Sequence, residues 1–213
     1  MRNNQTLEQV SNVAESKVQL LKNSKRKYFL SSFMAGMFIG LGILLTFTVG
    51  GVSSGLPTNK ILMGVSFGIA LSLVVVFGTE LFTGNNMIGV TGMLNKAITF
   101  KDMIFMWIAA YIGNIVGSVV LAIIYVFSNS ASKSVVDFIV KVSKVKVAAL
   151  PQELFFKGIL CNILVCLAVL AGIKLKEETA RLIMVFWCLF AFITAGFEHS
   201  VANMTLLMMG NYV

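Results

Sequence analysis

His199 is the only histidine among 213 residues. It lies in the run Gly196-Phe-Glu198-His199-Ser-Val-Ala-Asn203-Met204, at the end of an apolar stretch. With an unperturbed pKa of about 6.5, imidazole is the only side chain here whose charge changes near neutral pH. It could therefore donate a hydrogen bond, or a proton, to a small anion or acid. Taken alone, one histidine in an apolar segment reads as a core residue with its hydrogen bonds satisfied. A second run changes that reading: Gly78-Thr-Glu80-Leu81-Phe82-Thr83-Gly-Asn-Asn86-Met87 ends another apolar stretch with the same kind of residues. Each run interrupts a helix-length apolar segment with glycine, a carboxylate, hydroxyls and amides, groups that are costly in hydrocarbon unless they face protein or a water-filled passage. Two matched interruptions point to a transport site.

Other chemistries find little support. Cys161, Cys166 and Cys188 all fall inside apolar segments, without the paired spacing of a zinc site or a disulfide framework, and read as small core residues. No nucleophile stands beside a base, and no metal cluster or phosphate loop is present in the sequence, so neither an enzyme nor a cofactor or metal site is expected. The net charge of +8 is not carried by basic residues interleaved with aromatics on one soluble face, as nucleic-acid binding would need. A membrane surface accounts for it better.

The segments that must position the two runs are membrane spans. Of the residues 57% are hydrophobic and 12% charged, where a soluble domain has roughly a quarter charged. Five stretches approach the roughly 20 residues a spanning helix takes: Phe29 to Val49, Ile61 to Phe82, Met103 to Phe127, Leu154 to Ile173 and Leu182 to Phe197. The first 28 residues are polar and basic, unlike a secretory signal. A cytoplasmic N-terminus collects eleven Lys and Arg inside, Arg2 and Lys25-Arg26-Lys27 among them, against five outside, which sets the expected orientation. Leu7, Val10, Val13, Val18 and Leu21 recur at helical spacing, and Thr6 with Gln9 suggests a capping box. This predicts an amphipathic helix on acidic lipid or on a neighbouring subunit. Trp107, Tyr28 and Tyr125 are expected as interfacial anchors, and Gly36/Gly40, Gly64/Gly68 and Gly113/Gly117 as close helix contacts.

The chain is also a duplication. Phe33-Met-Ala-Gly36-Met-Phe-Ile-Gly40 matches Phe155-Phe-Lys-Gly158-Ile-Leu-Cys-Asn162, and the two interruptions match at a similar offset, near 120. Three spans separate the starts of the halves, an odd number, so the repeat is inverted. The third span predicts a counterpart near residues 221 to 247, beyond Val213, so the second half is expected to be truncated and to lack a sixth helix. The expected organisation is a single membrane domain, 1–213: an amphipathic helix over 1–28, a first repeat over 29–127 and an incomplete second repeat over 150–213.

Glu80-Leu-Phe-Thr83-Gly, Gly113-Asn114, Gly158 to Asn162 and above all Gly196-Phe-Glu-His-Ser-Val-Ala-Asn203-Met resemble the signature segments of the formate/nitrite transporter family. The resemblance covers roughly residues 7 to 210. It implies an all-α, aquaporin-like inverted repeat of three-helix halves with broken second and fifth helices, in a homopentamer with one pore per subunit. Matched position by position, it implies an outer constriction of Phe67, Val165 and Phe192 and an inner one of Leu71, Leu81 and Phe82. His199 and Thr83 would lie between them, and Lys146 at the mouth of the outer vestibule. Leu154-Phe-Phe-Lys157-Gly, Trp187 to Phe192 and Ser200 to Thr205 are more similar to the nitrite branch than to the formate branch, so nitrite is the expected cargo and formate or hydrosulfide the alternative. The implied setting is a bacterial inner membrane.

An apolar constriction resists a bare anion and passes its neutral acid far more readily, so charge must be handled between the two rings. Glu198 would repel an anion and is assigned, like Glu80, to bonding backbone amides freed at the breaks. Asn86, Asn114, Asn162 and Asn203 are expected to satisfy other freed backbone groups. The positive ends of the half-helices after each break would favour an anion between them. Lys133, Lys141 and Lys144 read as a solvated face, and Lys157 as a snorkelling or vestibule residue.

Overall fold

A computed structural model describes residues 2–212, with side chains from Asn4 onward. Arg2, counted above among the cytoplasmic charges, has its side chain outside the described residues, as do Met1 and Val213. The described residues form nine helices and no strand: α1 (Arg2–Asn23), α2 (Lys25–Val52), α3 (Asn59–Phe77), α4 (Phe82–Leu94), α5 (Phe100–Phe127), α6 (Lys133–Val147), α7 (Pro151–Lys174), α8 (Glu178–Ala195) and α9 (Ser200–Tyr212). Five of them, α2, α3, α5, α7 and α8, are long and apolar enough to cross a membrane. Their outer faces carry large apolar side chains such as Leu30, Ile61, Val76, Ile112, Phe155 and Ile163, as a lipid-facing or subunit-facing surface requires.

Local signals set the ends. The Ser24 hydroxyl accepts from the Lys27 N–H at the start of α2, Thr99 and Asp102 form a complete capping box on α5, and Pro151 opens α7. α3 and α8 stop at Gly78 (φ 60°) and Gly196 (φ 76°), left-handed positions that glycine adopts without strain. The chain then runs three residues and restarts as α4 and α9. Each half is therefore a full span followed by a broken one, α2 then α3/α4, and α7 then α8/α9.

Small residues let the first half close tightly. Gly36 lies against the backbone of Asn114, and Gly113 against Ser32, so α2 and α5 pack almost backbone to backbone. Gly64 and Gly68 leave room on α3 for the side chains of Phe190, Thr194 and Phe186 of α8.

Three expectations change. Thr6 lies inside α1 rather than at its cap, because the helix begins four residues earlier. The apolar face of α1 packs on its own chain: Val10, Ala14 and Val18 are buried with Ile88, Ile98, Met103 and Met106. Tyr28 is no interfacial anchor but fully buried, its hydroxyl donating to the Met106 carbonyl at 3.1 Å and accepting from Asn85 at 3.3 Å. A phenol buried this way stays because both of its hydrogen-bonding roles are filled.

Candidate functional site

The two helix breaks meet inside the molecule. Thr83, in the first turn of α4, and His199, one residue before α9, are both buried, with Thr83 Oγ1 3.0 Å from His199 Nε2. The other ring nitrogen decides who donates. The Ala202 N–H donates to His199 Nδ1 at 3.1 Å, so Nδ1 presents its lone pair, the proton of a neutral ring sits on Nε2, and Nε2–H points at Thr83. A second proton would have to occupy Nδ1, where the Ala202 N–H already points. Phe192 stacks on the imidazole at a centroid distance of 5.7 Å, and Phe67 meets Phe192 edge-on at 5.6 Å. The N-termini of α4 and α9 both start here, so two positive helix ends flank the pair.

Five of the six residues assigned to the constrictions, Phe67, Leu71, Leu81, Val165 and Phe192, are buried in one apolar cluster, and Phe82 packs partly buried against it. Phe82 also meets Tyr111 edge-on at 5.0 Å. An open groove of about 950 Å³ runs along α7 and reaches Phe82, Thr83 and His199. A cavity of about 290 Å³ on the α1 side is lined by Lys17, Val74, Leu81, Asn85 and Val169.

The carboxylates of the breaks do not bond backbone amides. Glu80 Oε2 accepts from Lys17 Nζ at 2.8 Å and from Asn85 Nδ2 at 3.0 Å. Glu198 Oε2 accepts from Lys146 Nζ and from Asn203 Nδ2. The physical reason is charge: a carboxylate kept from water is compensated better by an ammonium than by neutral amides. Lys146 accordingly faces Glu198, 19% exposed, instead of standing free at an outer mouth. Lys157 is half-buried and pairs with Glu153 at 3.4 Å.

Backbone groups at the first break are held by Asn114, whose Nδ2 donates to the carbonyls of Ser32 (2.7 Å) and Glu80 (2.9 Å) while Oδ1 accepts from the Phe82 N–H (2.9 Å). Asn86 instead lines the open groove. Asn162 donates only weakly, to Cys166 Sγ at 3.6 Å, and its buried Oδ1 has no partner, so it does not hold the second break.

Lys17 and Asn85 were not singled out by sequence. Asn85 was legible: counted without a gap from Gly78 and Gly196, five positions after each glutamate, Asn85 pairs with Asn203 and Asn86 does not. Lys17 had no such signal, because the contact joins positions 63 apart on different helices.

A family profile described as formate/nitrite transporter matches residues 4–213. The chain belongs to the formate/nitrite transporter family. It is a multi-pass membrane transport protein and not an enzyme. A nitrite transporter, NirC, of Salmonella typhimurium is 43% identical over 189 residues, which span 88% of this chain and 70% of that protein. Among solved structures, a formate/nitrite-family ion channel superposes with a TM-score of 0.91 at 38% identity, over 97% of this chain and 82% of the other. A pentameric formate channel with formate bound superposes at 0.79 and 28%, over 89% and 76%.

Proposed function

We propose that this member of the formate/nitrite transporter family passes nitrite, or nitrous acid, across a bacterial inner membrane, with its N-terminus in the cytoplasm, as one subunit of a homopentamer with a pore in each. The observation that carries the reading is the Thr83–His199 pair, two hydrogen-bonding side chains 3.0 Å apart at the junction of two helix N-termini, beside apolar rings. An anion that reaches this point has left water on both sides, and donors are what it needs. The Thr83 hydroxyl supplies one, His199 Nε2–H supplies a second once the anion replaces Thr83 Oγ1 as its acceptor, and the ends of α4 and α9 add positive potential. Phe67, Val165 and Phe192 on one side and Leu71, Leu81 and Phe82 on the other resist the bare ion more than its conjugate acid. Lys146 and Lys17 are each held by a carboxylate, Glu198 and Glu80, and present the remaining N–H groups of an ammonium in a fixed place near each break.

The ring geometry favours hydrogen-bond donation over proton transfer by His199, since giving up the Nε2 proton would leave a ring whose Nδ1 is already committed to Ala202. In this reading the proton that neutralises nitrite comes from the aqueous side. Nitrite is supported by the 43% identity to NirC, and the cytoplasmic N-terminus by eleven Lys and Arg on that side against five. Formate is a second reading, supported by the resemblance to the formate-bound channel, and hydrosulfide a third small anion that the same donors would suit.

The test is light-scattering flux of nitrite, formate and hydrosulfide into liposomes carrying the chain, from about pH 5 to about pH 8. Nitrite should pass fastest. His199→Leu should cut flux by about tenfold or more, the size expected for a lost hydrogen bond to a charged group. His199→Asn, which keeps a donor and has no titrating proton, should retain much of the flux and its pH profile. Undiminished flux in His199→Leu would remove the site from the pore, and a flattened profile in His199→Asn would restore proton transfer by the ring.

A further inference from the structure

We infer that Tyr28 and Trp107 are positioning residues for the pore centre: together they grip Asn85 of α4, by its side chain and by its main chain, and so set where Thr83 meets His199. The inference rests on the reading of Thr83 as a donor in the pore. Residues 83 and 85 lie about 200° apart around a helix axis, so a turn of α4 that sends Thr83 to His199 sends Asn85 the other way, toward α2 and α5. Both are buried. Asn85 Nδ2 donates one hydrogen to the Tyr28 hydroxyl at 3.3 Å and the other to Glu80 Oε2 at 3.0 Å, which uses both of its protons. The Tyr28 hydroxyl donates in turn to the Met106 carbonyl at 3.1 Å. The next residue of α5 completes the grip, Trp107 Nε1 donating to the Asn85 carbonyl at 2.9 Å. Trp107, expected as an interfacial anchor, thus spends its ring N–H on α4. Gly89 makes room for it, since a Cβ there would stand 2.8 Å from Nε1.

Two features tie this grip to Thr83 rather than to packing alone. α4 begins at Leu81 with no side-chain cap of its own, so its first turn is placed by groups outside the helix. The internal repeat is the second. Both halves hold a glutamate with a lysine and an asparagine, but among the described residues the Asn203 amide donates to Glu198 alone, and no aromatic donor reaches Asn203. The offset that pairs Gly36 with Gly158 puts Leu150, 64% exposed, at the place of Tyr28. The offset that pairs Asn85 with Asn203 puts Val201 at the place of Thr83. The phenol is therefore present in the half whose helix carries a pore hydroxyl and absent from the half that carries valine there. Losing that phenol oxygen strands one buried Asn85 N–H, which costs more than the bond itself contributed. α4 recovers a partner for it by turning, and turning moves Thr83 off His199.

Because His199 is the only histidine in the chain, protein isotopically labelled at the histidine nitrogens and purified without a histidine tag carries one labelled ring. Solid-state NMR of the full chain in phosphatidylcholine–phosphatidylglycerol vesicles then reads Nε2 and Nδ1 separately. Thr83→Val removes the hydroxyl and marks the Nε2 signal of an imidazole without that partner. Tyr28→Phe and Trp107→Phe, which each keep an aromatic ring, should both move the Nε2 signal at least halfway to that mark. Nδ1, which accepts from Ala202, should stay. Tyr125→Phe, at a tyrosine packed against the other core cluster, should move neither. In flux, Tyr28→Phe should raise the nitrite concentration for half-maximal rate by about fivefold, and should add nothing in a Thr83→Val background, where no hydroxyl is left to position. A merely structural tyrosine would lower maximal flux with the amount of folded protein and leave that concentration alone. The inference is overturned if either Tyr28→Phe or Trp107→Phe leaves Nε2 at its original shift, if Thr83→Val itself fails to move it, or if Tyr28→Phe and Thr83→Val act independently on the half-maximal concentration. The NMR measurement needs no transport, so an absence of nitrite flux would count against the proposed cargo and leave this result standing.

Discussion

A carboxylate removed from water costs several kcal/mol unless an opposite charge stands against it, and this chain solves that problem twice in the same way. Glu80 has Lys17 and Asn85, and Glu198 has Lys146 and Asn203. The lysine side chains are only 15% and 19% exposed, so each pair is largely desolvated. Removing one partner should therefore do more harm than removing both. Glu198→Gln is expected to destabilise the protein by about 2–4 kcal/mol by leaving Lys146 uncompensated, while Glu198→Gln with Lys146→Met should recover much of that loss. Thermal unfolding of the detergent-solubilised protein measures both, and a strictly additive double variant would show that the ion pair is energetically idle. The pairing also bears on transport, because a lysine held by a carboxylate presents its remaining N–H groups in a fixed place.

At the scale of elements, the breaks depend on two backbone conformations. Gly78 and Gly196 have φ of 60° and 76°, and an added Cβ meets nothing within 4 Å at Gly78 and only Lys60 Nζ, at 4.0 Å, at Gly196. Substitution there costs conformation rather than space. Gly196→Ala should lose about 1–2 kcal/mol and Gly196→Asn less, since asparagine visits the left-handed region more easily. Gly36→Ala should lose more than either, because its Cβ would press on the Asn114 backbone and part α2 from α5. Unfolding midpoints rank the three, and equal losses would contradict the argument. These elements were the legible part of the fold. Apolar runs and Gly-x-Glu interruptions are one-dimensional signals, and the five spans fall within a few residues of where composition puts them. What the sequence hid was tertiary: Tyr28 reads as an anchor until α5 is laid over it, and nothing in α1 announces that Lys17 reaches Glu80. Asn162, aligned with Gly40, could not be told from a break-holding asparagine such as Asn114 without knowing which helix faces it.

For the whole molecule, the matched ion pairs extend the inverted repeat beyond the spans. Lys17 comes from α1 and Lys146 from α6, so the two amphipathic helices are themselves counterparts, each bringing a lysine to the break of its own half. An inverted repeat places such counterparts at opposite faces of the membrane. The orientation proposed from the loop charges then makes a sharp demand: α1 inside and α6 outside. With Cys161, Cys166 and Cys188 replaced by serine or alanine, Lys25→Cys and Lys141→Cys each place a single thiol at an exposed position near one face. In intact cells a charged, membrane-impermeant maleimide should label Lys141→Cys and spare Lys25→Cys, and inverted membrane vesicles should exchange the two results. Labelling of both from one side would contradict the inverted repeat as well as the orientation, since α1 and α6 would then share a face. A clean exchange in the opposite sense would leave the repeat intact and reverse only the charge argument, because inversion fixes the relation between the halves while the Lys and Arg count fixes which half enters first.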